Sequence, residues 1–297
     1  MGRGEGEGAM SVEKLAFYPG CPSEATALEQ DMSAKAVFAK LGVELVEVED
    51  WNCCGAAEAE DPRLVYALNA RNLAIAEREG LDIVTPCSIC FYNLARANNA
   101  LKRDEKLRAE IKGIDPSLEY NGTVTPKHLL DVLVNDIGMD AIRSKLAKKV
   151  ELKVAPYYGC YLGRPPETAF DDPDDPVLMD QLIELIGGEN VPFSAMKTKC
   201  CGGPLMMTRG DLAFEMARKI LQTAKDAGAD CLALACPLCG MMLDAKQPDI
   251  EKELKVKIDM PVVYITQLLG LALGIDAKKL GFDKNIVSTK RILEKVV

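Results

Sequence analysis

The fold is decided by the stretch Asp82-Ile83-Val84-Thr85-Pro86-Cys87-Ser88-Ile89-Cys90, a short apolar segment that leads into two cysteines separated by two residues. An apolar run of this length, bounded by turn residues, is typical of a buried strand. The same arrangement returns where residues 230–234 precede Cys236-Pro237-Leu238-Cys239. We predict two equivalent strands, each with cysteines just beyond its carboxyl end, where open α/β sheets gather their ligands.

The repeat extends to the other cysteines. Tyr18-Pro19-Gly20-Cys21 resembles Tyr158-Gly159-Cys160, and Cys53-Cys54-Gly55 resembles Cys200-Cys201-Gly202. Cys160, Cys200 and Cys236 lie 139, 147 and 149 residues after their counterparts, so the order is kept while the loops differ slightly. Such self-similarity indicates a tandem duplication.

Strand-like and helix-like segments alternate in both halves. The predicted strands are residues 14–18, 43–48, 82–85, 153–157 and 230–234, and the predicted helices are residues 24–41, 61–79, 176–186 and 211–227. This alternation predicts two tandem Rossmann-like domains with parallel sheets. If they are related by a pseudo-twofold axis, the two cysteine sets lie at the interface. We expect a disordered leader (1–10), a first cysteine-rich domain (11–150) and a second with a C-terminal tail (151–297), joined by a basic helix at 141–149.

Composition narrows the function. Asp and Glu number 45 against 36 Lys and Arg, a formal net charge of −9, which argues against a binder of nucleic acids or anionic membranes. The longest apolar stretch, residues 262–275, is too short to span a bilayer. Residues 1–10 lack the apolar core of a secretory signal. We expect a cytoplasmic protein, in which structural disulfides are rare and clustered cysteines bind metal or react.

Ten of the eleven cysteines form two equivalent sets of five. The sets are Cys21, Cys53, Cys54, Cys87 and Cys90, then Cys160, Cys200, Cys201, Cys236 and Cys239. Cys231 aligns with Ile83 and is predicted to be a buried strand residue, because free cysteine packs as a small hydrophobe.

Five thiols in each set favour an iron–sulfur assembly. A Cys-x2-Cys pair alone is shared by zinc sites, redox dithiols and clusters. Structural zinc takes four ligands, whereas adjacent sulfurs in Cys53-Cys54 and Cys200-Cys201 can reach different metal atoms. Ferredoxin spacing is absent from the sequence. Zinc binding and thiol chemistry remain as alternatives.

These motifs, over about residues 14–280, resemble the duplicated cysteine-rich "CCG" domain and, with both copies present, the B-type subunit of heterodisulfide reductase. The resemblance implies two noncubane [4Fe-4S] clusters, one on each five-cysteine set. It also implies that a mixed disulfide, of the coenzyme M–coenzyme B type, is reduced to two thiols between the clusters. The implied partners are the ferredoxin-like (C-type) and flavin-containing (A-type) subunits of heterodisulfide reductase, with a hydrogenase or formate dehydrogenase acting through the flavin-containing one.

Few other residues are candidates. Lys197, Lys199 and Arg209 bracket Cys200-Cys201, and Arg164 follows Cys160. Lys199, Arg209 and Arg164 are the candidates to bind an anionic substrate tail, because such groups pair with Arg and Lys; ordinary surface residues are the alternative. His128 has no histidine counterpart in the second half and is expected to cap a helix or lie at the surface, so no catalytic side chain is expected beyond the cluster ligands.

Two other functions stay open. The chain could be an electron-transfer subunit of another complex, of the glycolate, lactate, succinate or fumarate type or of a sulfur-oxidising relative. It could also be a zinc scaffold without redox activity.

Overall fold

Each half of the chain folds around a four-stranded parallel sheet. The computed structural model describes residues 12–24, 26–56 and 61–296, so the predicted leader at 1–10 lies outside the described residues. The strands are β1 (Lys14–Phe17), β2 (Glu44–Glu47), β3 (Ile83–Thr85), β4 (Pro126–His128), β5 (Lys153–Tyr157), β6 (Glu189–Asn190), β7 (Cys231–Leu234) and β8 (Val262–Tyr264). The orders β2-β1-β3-β4 and β6-β5-β7-β8 are the same arrangement twice, which confirms the predicted duplicated α/β fold.

Helices cover the sheets. In the first half these are α1 (Leu28–Leu41), α2 (Pro62–Arg78), α3 (Ser88–Arg103), α4 (Glu105–Ile114), α5 (Leu129–Asp131) and α6 (Met139–Ser144), with a π-helix at Val132–Gly138. In the second half they are α7 (Leu178–Leu185), α8 (Gly210–Asp226), α9 (Pro237–Gly240), α10 (Gln247–Leu254), α11 (Ile265–Ala272) and α12 (Lys290–Val296), with a π-helix at Met241–Ala245. Short 3-10 turns lie at Cys21–Glu24, Pro116–Leu118 and Gly203–Leu205.

Two predicted helix boundaries are wrong. The helix expected from residue 24 begins at Leu28, because a 3-10 turn occupies Cys21–Glu24. The basic helix expected at 141–149 ends at Ser144, where the chain turns so that Ala147 N and the following amide both donate to Ala272 O. The start of α2 is as expected, since the Asp61 side chain accepts the Arg63 N–H at 2.9 Å.

The two halves share their hydrophobic cores. Alternate residues of β1 face opposite sides of the sheet, so Leu15 and Phe17 join one core while Ala16 and Tyr18 join the other. Each core contains residues from both halves. Helices α1 and α11 pack against each other, and Ser33 Oγ lies 2.7 Å from Thr266 Oγ1 across this contact. The boundary near residue 150 therefore lies within one continuously packed body and stays a prediction.

The segment after α11 returns to the first half. Gly281 (φ +72°) lies so close to α1 that a Cβ there would be 2.6 Å from the Glu29 Cα. The buried Asp244 carboxylate holds the same segment by accepting the N–H groups of Ile286 at 2.7 Å and Val287 at 3.0 Å. Among the described residues, no helix combines the length and the apolar character that crossing a membrane requires.

Candidate metal centre

The cysteines lie at the carboxyl edges of the two sheets, as predicted. Cys21 follows β1, Cys87 follows β3, and Cys160 and Cys236 follow the equivalent strands β5 and β7. Cys87 and Cys236 also stand at the N-cap positions of α3 and α9. Cys231 is fully buried within β7, which confirms the prediction that it is a buried strand residue.

The ten sulfurs form one continuous row. Neighbouring sulfurs interact closely in the order Cys21, Cys53, Cys54, Cys90, Cys87, Cys236, Cys239, Cys201, Cys200 and Cys160. The row is symmetric about the contact between Cys87 and Cys236, where the two halves meet. Cys54 and Cys90 sulfurs lie 3.5 Å apart. In the described residues, no three Cys, His, Asp or Glu side chains converge as a single metal ion would require.

The middle of the row is buried and its ends are open. Cys54, Cys87, Cys90, Cys201, Cys236 and Cys239 are buried. Cys21 and Cys53 are exposed at one end, while Cys160 and Cys200 are partly buried at the other. A small molecule can therefore approach the outer sulfurs of both sets from solvent.

Backbone N–H groups donate hydrogen bonds to the sulfurs. Ala56 N donates to Cys54 Sγ at 3.4 Å, and Gly203 N donates to Cys201 Sγ at the same distance. The Ser88 N–H of the first half donates to the Cys236 sulfur of the second. Backbone donors of this kind stabilise thiolates, the form of cysteine that binds metal.

Two glycines leave room beside the sulfurs. Gly20 (φ +75°) and Gly159 (φ +71°) precede Cys21 and Cys160. A Cβ would lie 3.2 Å from the Cys90 sulfur at Gly20 and 3.3 Å from the Cys239 sulfur at Gly159. Both positions thus require glycine, for the left-handed backbone and for the close approach of sulfur.

The thiol pKa values of the outer three sulfurs follow the same pattern in both halves. Hydrogen bonds from the Cys21 and Cys54 thiols lower the pKa of Cys53, and those from Cys160 and Cys201 lower the pKa of Cys200. The pKa values of Cys21 and Cys160 are raised, mainly because each thiol donates to its ionised neighbour. Cys53 and Cys200 therefore ionise more readily than the cysteines next to them. At the centre of the row the halves differ, because hydrogen bonds from the Cys239 and Cys87 thiols lower the pKa of Cys236, whereas the pKa of Cys87 is raised.

Two tyrosines support the Cys-Cys loops, and the sequence motifs did not identify their role. Tyr18 Oη donates to Asn52 O at 2.9 Å, and Tyr157 Oη donates to Lys199 O at 2.7 Å. Each acceptor carbonyl belongs to the residue before a Cys-Cys pair. The signal was present in the sequence, because Tyr157 lies 139 residues after Tyr18, the offset that relates Cys160 to Cys21.

His128 joins the two halves beside the centre of the row. Its Nδ1 accepts the Leu130 N–H at 3.1 Å, which confirms the capping role. The surface location considered for it is wrong, because the side chain is 1% exposed and its Nε2 lies 3.0 Å from Ala235 O, next to Cys236. Burial lowers its pKa to about 4, so the ring is neutral and its Nε2–H donates to that carbonyl.

The basic residues near the second set have different environments. Lys197 is buried, with its Nζ 2.6 Å from an Asp180 oxygen, so it is an ion-paired core residue rather than a solvated one. Arg209 is exposed and pairs with Asp211 at 2.9 Å. Lys199 and Arg164 are exposed. Binding of a substrate by Lys199, Arg209 or Arg164 stays a prediction.

A crevice that the sequence motifs did not indicate lies between α3 and residues 165–168. It has a volume of about 240 Å³, and its lining includes Tyr66, Tyr92, two cations, Arg96 and Arg103, and one carboxylate, Glu167. The Arg96 guanidinium lies 5.4 Å from the Tyr66 ring centroid. The Tyr92 ring lies 5.1 Å from that of Tyr161, the residue after Cys160, so the crevice is linked to the row. Tyr92, Arg96 and Arg103 share one face of α3, a helix that was not predicted.

The fold and the paired five-cysteine sets define a duplicated cysteine-rich α/β protein. The "CCG: Cysteine-rich domain" family matches residues 15–95 and 154–244, so each half contains one copy. The chain belongs to this family.

Relatives match over nearly the whole chain. The 8-methylmenaquinol:fumarate reductase membrane anchor subunit of Wolinella succinogenes is 36% identical over 94% of this chain and 99% of its own length. The B-type subunit of the ferredoxin/F420H2-dependent CoB-CoM heterodisulfide reductase of Methanosarcina acetivorans is 32% identical over 96% of this chain and 97% of its own. The corresponding B-type subunit of the ferredoxin-dependent enzyme of Methanosarcina mazei is 30% identical over the same shares. The predicted resemblance to the B-type subunit of heterodisulfide reductase is confirmed.

The fold also occurs in a solved structure. A hypothetical protein from Helicobacter pylori superposes with a TM-score of 0.71 at 16% identity, over 93% of this chain. This chain spans about half (52%) of that protein's length. At this identity the likeness concerns the fold alone.

The residues present fit an iron–sulfur cluster. Five soft thiol ligands lie together in each half, backbone N–H groups point at their sulfurs, and glycine leaves space where a Cβ would meet a sulfur. Thiolate is the ligand that iron–sulfur clusters prefer.

Proposed function

We propose that this protein is the iron–sulfur subunit of an oxidoreductase complex that reduces a disulfide to two thiols. The observation that carries the proposal is the symmetric row of ten sulfurs, in which two five-cysteine sets meet at Cys87 and Cys236. The relatives named as heterodisulfide reductase subunits support it. Mixed disulfides of the coenzyme M–coenzyme B type are one class of substrate.

Each five-cysteine set would hold one noncubane [4Fe-4S] cluster. The ligands would be Cys21, Cys53, Cys54, Cys87 and Cys90 in the first domain, with Cys160, Cys200, Cys201, Cys236 and Cys239 in the second. When bound, the clusters would supply one-electron chemistry and a soft metal site for thiolates. The chain's own contribution is to orient the sulfurs by backbone N–H groups and to bury the middle of the row, with the outer sulfurs left open to substrate.

The crevice at Arg96 and Arg103 suits the polar end of a substrate. Guanidinium groups bind carboxylate, phosphate or sulfonate oxygens in pairs. Tyr92 lines the crevice and its ring contacts that of Tyr161, the residue after Cys160, so a short anionic disulfide bound there would approach the row. The two cations outnumber the single carboxylate, Glu167. Lys199, Arg164 and Arg209 remain alternatives on the exposed side.

Electrons would come from partner subunits. Ferredoxin spacing is absent from the sequence, and the relatives are named as subunits of larger reductases. The proposed donors are a ferredoxin-like (C-type) subunit of heterodisulfide reductase and its flavin-containing (A-type) subunit, through which a hydrogenase or formate dehydrogenase could act. Free thiol ligands suit a reducing compartment such as the cytoplasm.

A second candidate function is electron transfer without disulfide chemistry. The 36% identity to a fumarate reductase subunit over 99% of that protein favours it. In that case the row would relay electrons to or from a partner, and no thiol would leave a substrate.

Two measurements on the anaerobically purified full chain test these functions. Iron and acid-labile sulfide should be present, whereas zinc without sulfide would contradict both. With reduced methyl viologen as donor, thiol release from bis(2-hydroxyethyl) disulfide and from its sulfonate analogue, bis(2-sulfonatoethyl) disulfide, should be measurable. Arg96→Gln should raise the KM for the anionic disulfide and leave that for the neutral one unchanged. A fully loaded protein that releases no thiol from either would favour electron transfer.

A further inference from the structure

The buried sulfurs Cys54 and Cys201 are equivalent in position but have different neighbours. Asn93 Nδ2 lies 3.6 Å from Cys54 Sγ and 3.2 Å from Cys54 O. Asn69 Nδ2 donates to Cys54 O at 2.9 Å. At the offsets of the repeat, Met242 occupies the position of Asn93, and Met216 that of Asn69.

The replacement changes the electrostatics at the sulfur. An asparagine amide donates hydrogen bonds, whereas a methionine thioether has no proton to donate. Met242 is fully buried within a hydrophobic core. Cys54 therefore has a side-chain amide near its sulfur, shared with Cys54 O and Ala56 O, in addition to the backbone N–H that both halves provide. In the second set, Cys236 instead receives the Ser88 N–H.

Solvent exposure also differs between the two sets, and the first set is the more exposed. Cys21 and Cys53 are exposed, while their counterparts Cys160 and Cys200 are partly buried. Each electron added to a sulfur-bound centre increases its negative charge. Hydrogen bonds to sulfur and contact with water both stabilise that charge, and so raise the reduction potential.

We propose that the two centres are unequal, with the higher reduction potential at the first five-cysteine set and with Asn93 as the residue that sets the difference. A single electron added to the pair of centres then occupies the first centre at equilibrium. The second centre, once reduced, is the stronger reductant. Asn93 acts through the Cys54 sulfur and is a positioning residue. This inference rests on the proposed iron–sulfur function.

The test is an anaerobic redox titration of the loaded full chain, followed by paramagnetic resonance and visible absorption. Cys90→Ser and Cys239→Ser assign the signals, because each removes a ligand from one set. We expect two midpoint potentials, the higher of which is lost in Cys90→Ser. Asn93→Leu should lower that midpoint potential by about 59 mV or more. For a one-electron couple, this shift is a tenfold change in the reduced-to-oxidised ratio.

Matched variants separate tuning from structural damage. Met242→Asn should raise the potential of the second centre and leave the first unchanged. Asn69→Leu removes an amide that reaches Cys54 O but not its sulfur, so it should shift the first centre much less than Asn93→Leu does. Met242→Asn keeps the test decisive if Asn93→Leu fails to bind iron.

The possible failures are distinguishable. Equal potentials, the reverse order, or no response of the second centre to Met242→Asn would overturn the inequality while leaving the function intact. An equal shift in Asn69→Leu and Asn93→Leu would overturn the role of Asn93. Absence of iron and sulfide from the unaltered chain would overturn the proposed function itself.

Discussion

In the first half, Cys54 Sγ receives the N–H of Ala56 at 3.4 Å, and in the second half Cys201 Sγ receives the N–H of Gly203 at the same distance. The side chains around these sulfurs are not repeated, because buried Asn93 has Met242 as its counterpart. Sulfur position is thus fixed by backbone geometry, which tolerates sequence change. The charge environment is fixed by side chains and has diverged between the halves.

The largest expected effect tests whether the two sets are equivalent as ligands. Cys54→Ser and Cys201→Ser should each remove or rearrange one cluster, so each should lose iron and sulfide by about the amount that one set binds. Cys231→Ser is the control, because this buried thiol lies in β7 outside the row. Iron analysis measures the effect. Equal iron loss from Cys231→Ser would contradict this prediction. It would mean that packing of the core, and not loss of a ligand, controls how much iron the protein binds.

A smaller loss is expected where glycine makes room for sulfur. Gly20→Ala and Gly159→Ala place a Cβ 3.2 and 3.3 Å from the sulfurs of the facing cysteines, in a left-handed backbone. Gly80→Ala and Gly228→Ala are matched controls, since both have positive φ and no atom within 4 Å of the added Cβ. The controls should lose about 1 kcal/mol of stability and keep their iron.

Thermal melts and iron analysis of these four variants give the outcome. We expect Gly20→Ala and Gly159→Ala to be destabilised more than their controls and to bind less iron in one half only. If Gly159→Ala keeps its full iron content while Gly20→Ala binds less iron, the space around the facing sulfur is tighter in the first half than in the second.

The sequence predicted the parts of the site that depend on local pattern. Cys87 and Cys236 were placed at strand ends because each follows a short apolar run, and the repeat separated Cys231 from the ligand sets. Helix α3, which supplies Asn93 and Arg96, was missed, although Phe91, Leu94 and Leu101 recur at the spacing of a helix. Strands β4 and β8, each of three residues, are too short for a pattern to identify.

Interactions between distant residues were out of reach. Lys197 was considered as a surface cation, yet it pairs with Asp180, and no local signal relates the two. His128 was expected to cap a helix, and the cap is present, but its contact with Ala235 spans 107 residues. The replacement of Asn93 by Met242 is visible in the aligned halves, and only the fold shows that the amide reaches a sulfur.

A pH dependence of stability is expected from Asp244, a buried carboxyl group of the second half. Burial raises the pKa of Asp244 from 3.8 to about 6, whereas the equivalent position in the first half is Ala95. The folded state therefore binds this proton more tightly than the unfolded chain does. Its contribution to stability is complete below pH 4 and is lost as pH rises to about 6, a change of about 3 kcal/mol.

Chemical unfolding between pH 4 and 7 measures this contribution. Asp244→Asn should flatten the dependence in the lower part of that range, because an amide oxygen still accepts one backbone N–H but does not titrate. Burial also raises the pKa of Glu29 to about 7, so some loss of stability should persist towards neutral pH in this variant. Asp249→Asn, in an exposed ion pair with Lys246, should leave the slope unchanged. A slope that Asp244→Asn does not alter would exclude Asp244 as its source.

The smallest expected effect concerns the tyrosines that brace the Cys-Cys loops. Loss of one hydrogen bond typically costs about 1 kcal/mol, and iron binding should be retained in both Tyr18→Phe and Tyr157→Phe. The two losses should differ, because Asn52 O also accepts from Asn72 Nδ2 at 2.9 Å, so Tyr18→Phe leaves that carbonyl paired. Tyr157→Phe should therefore cost more than Tyr18→Phe in chemical unfolding. Equal losses of stability would mean that the hydrogen bond from Asn72 does not stabilise the Cys53-Cys54 loop. The two halves would then differ only in the groups around their sulfurs.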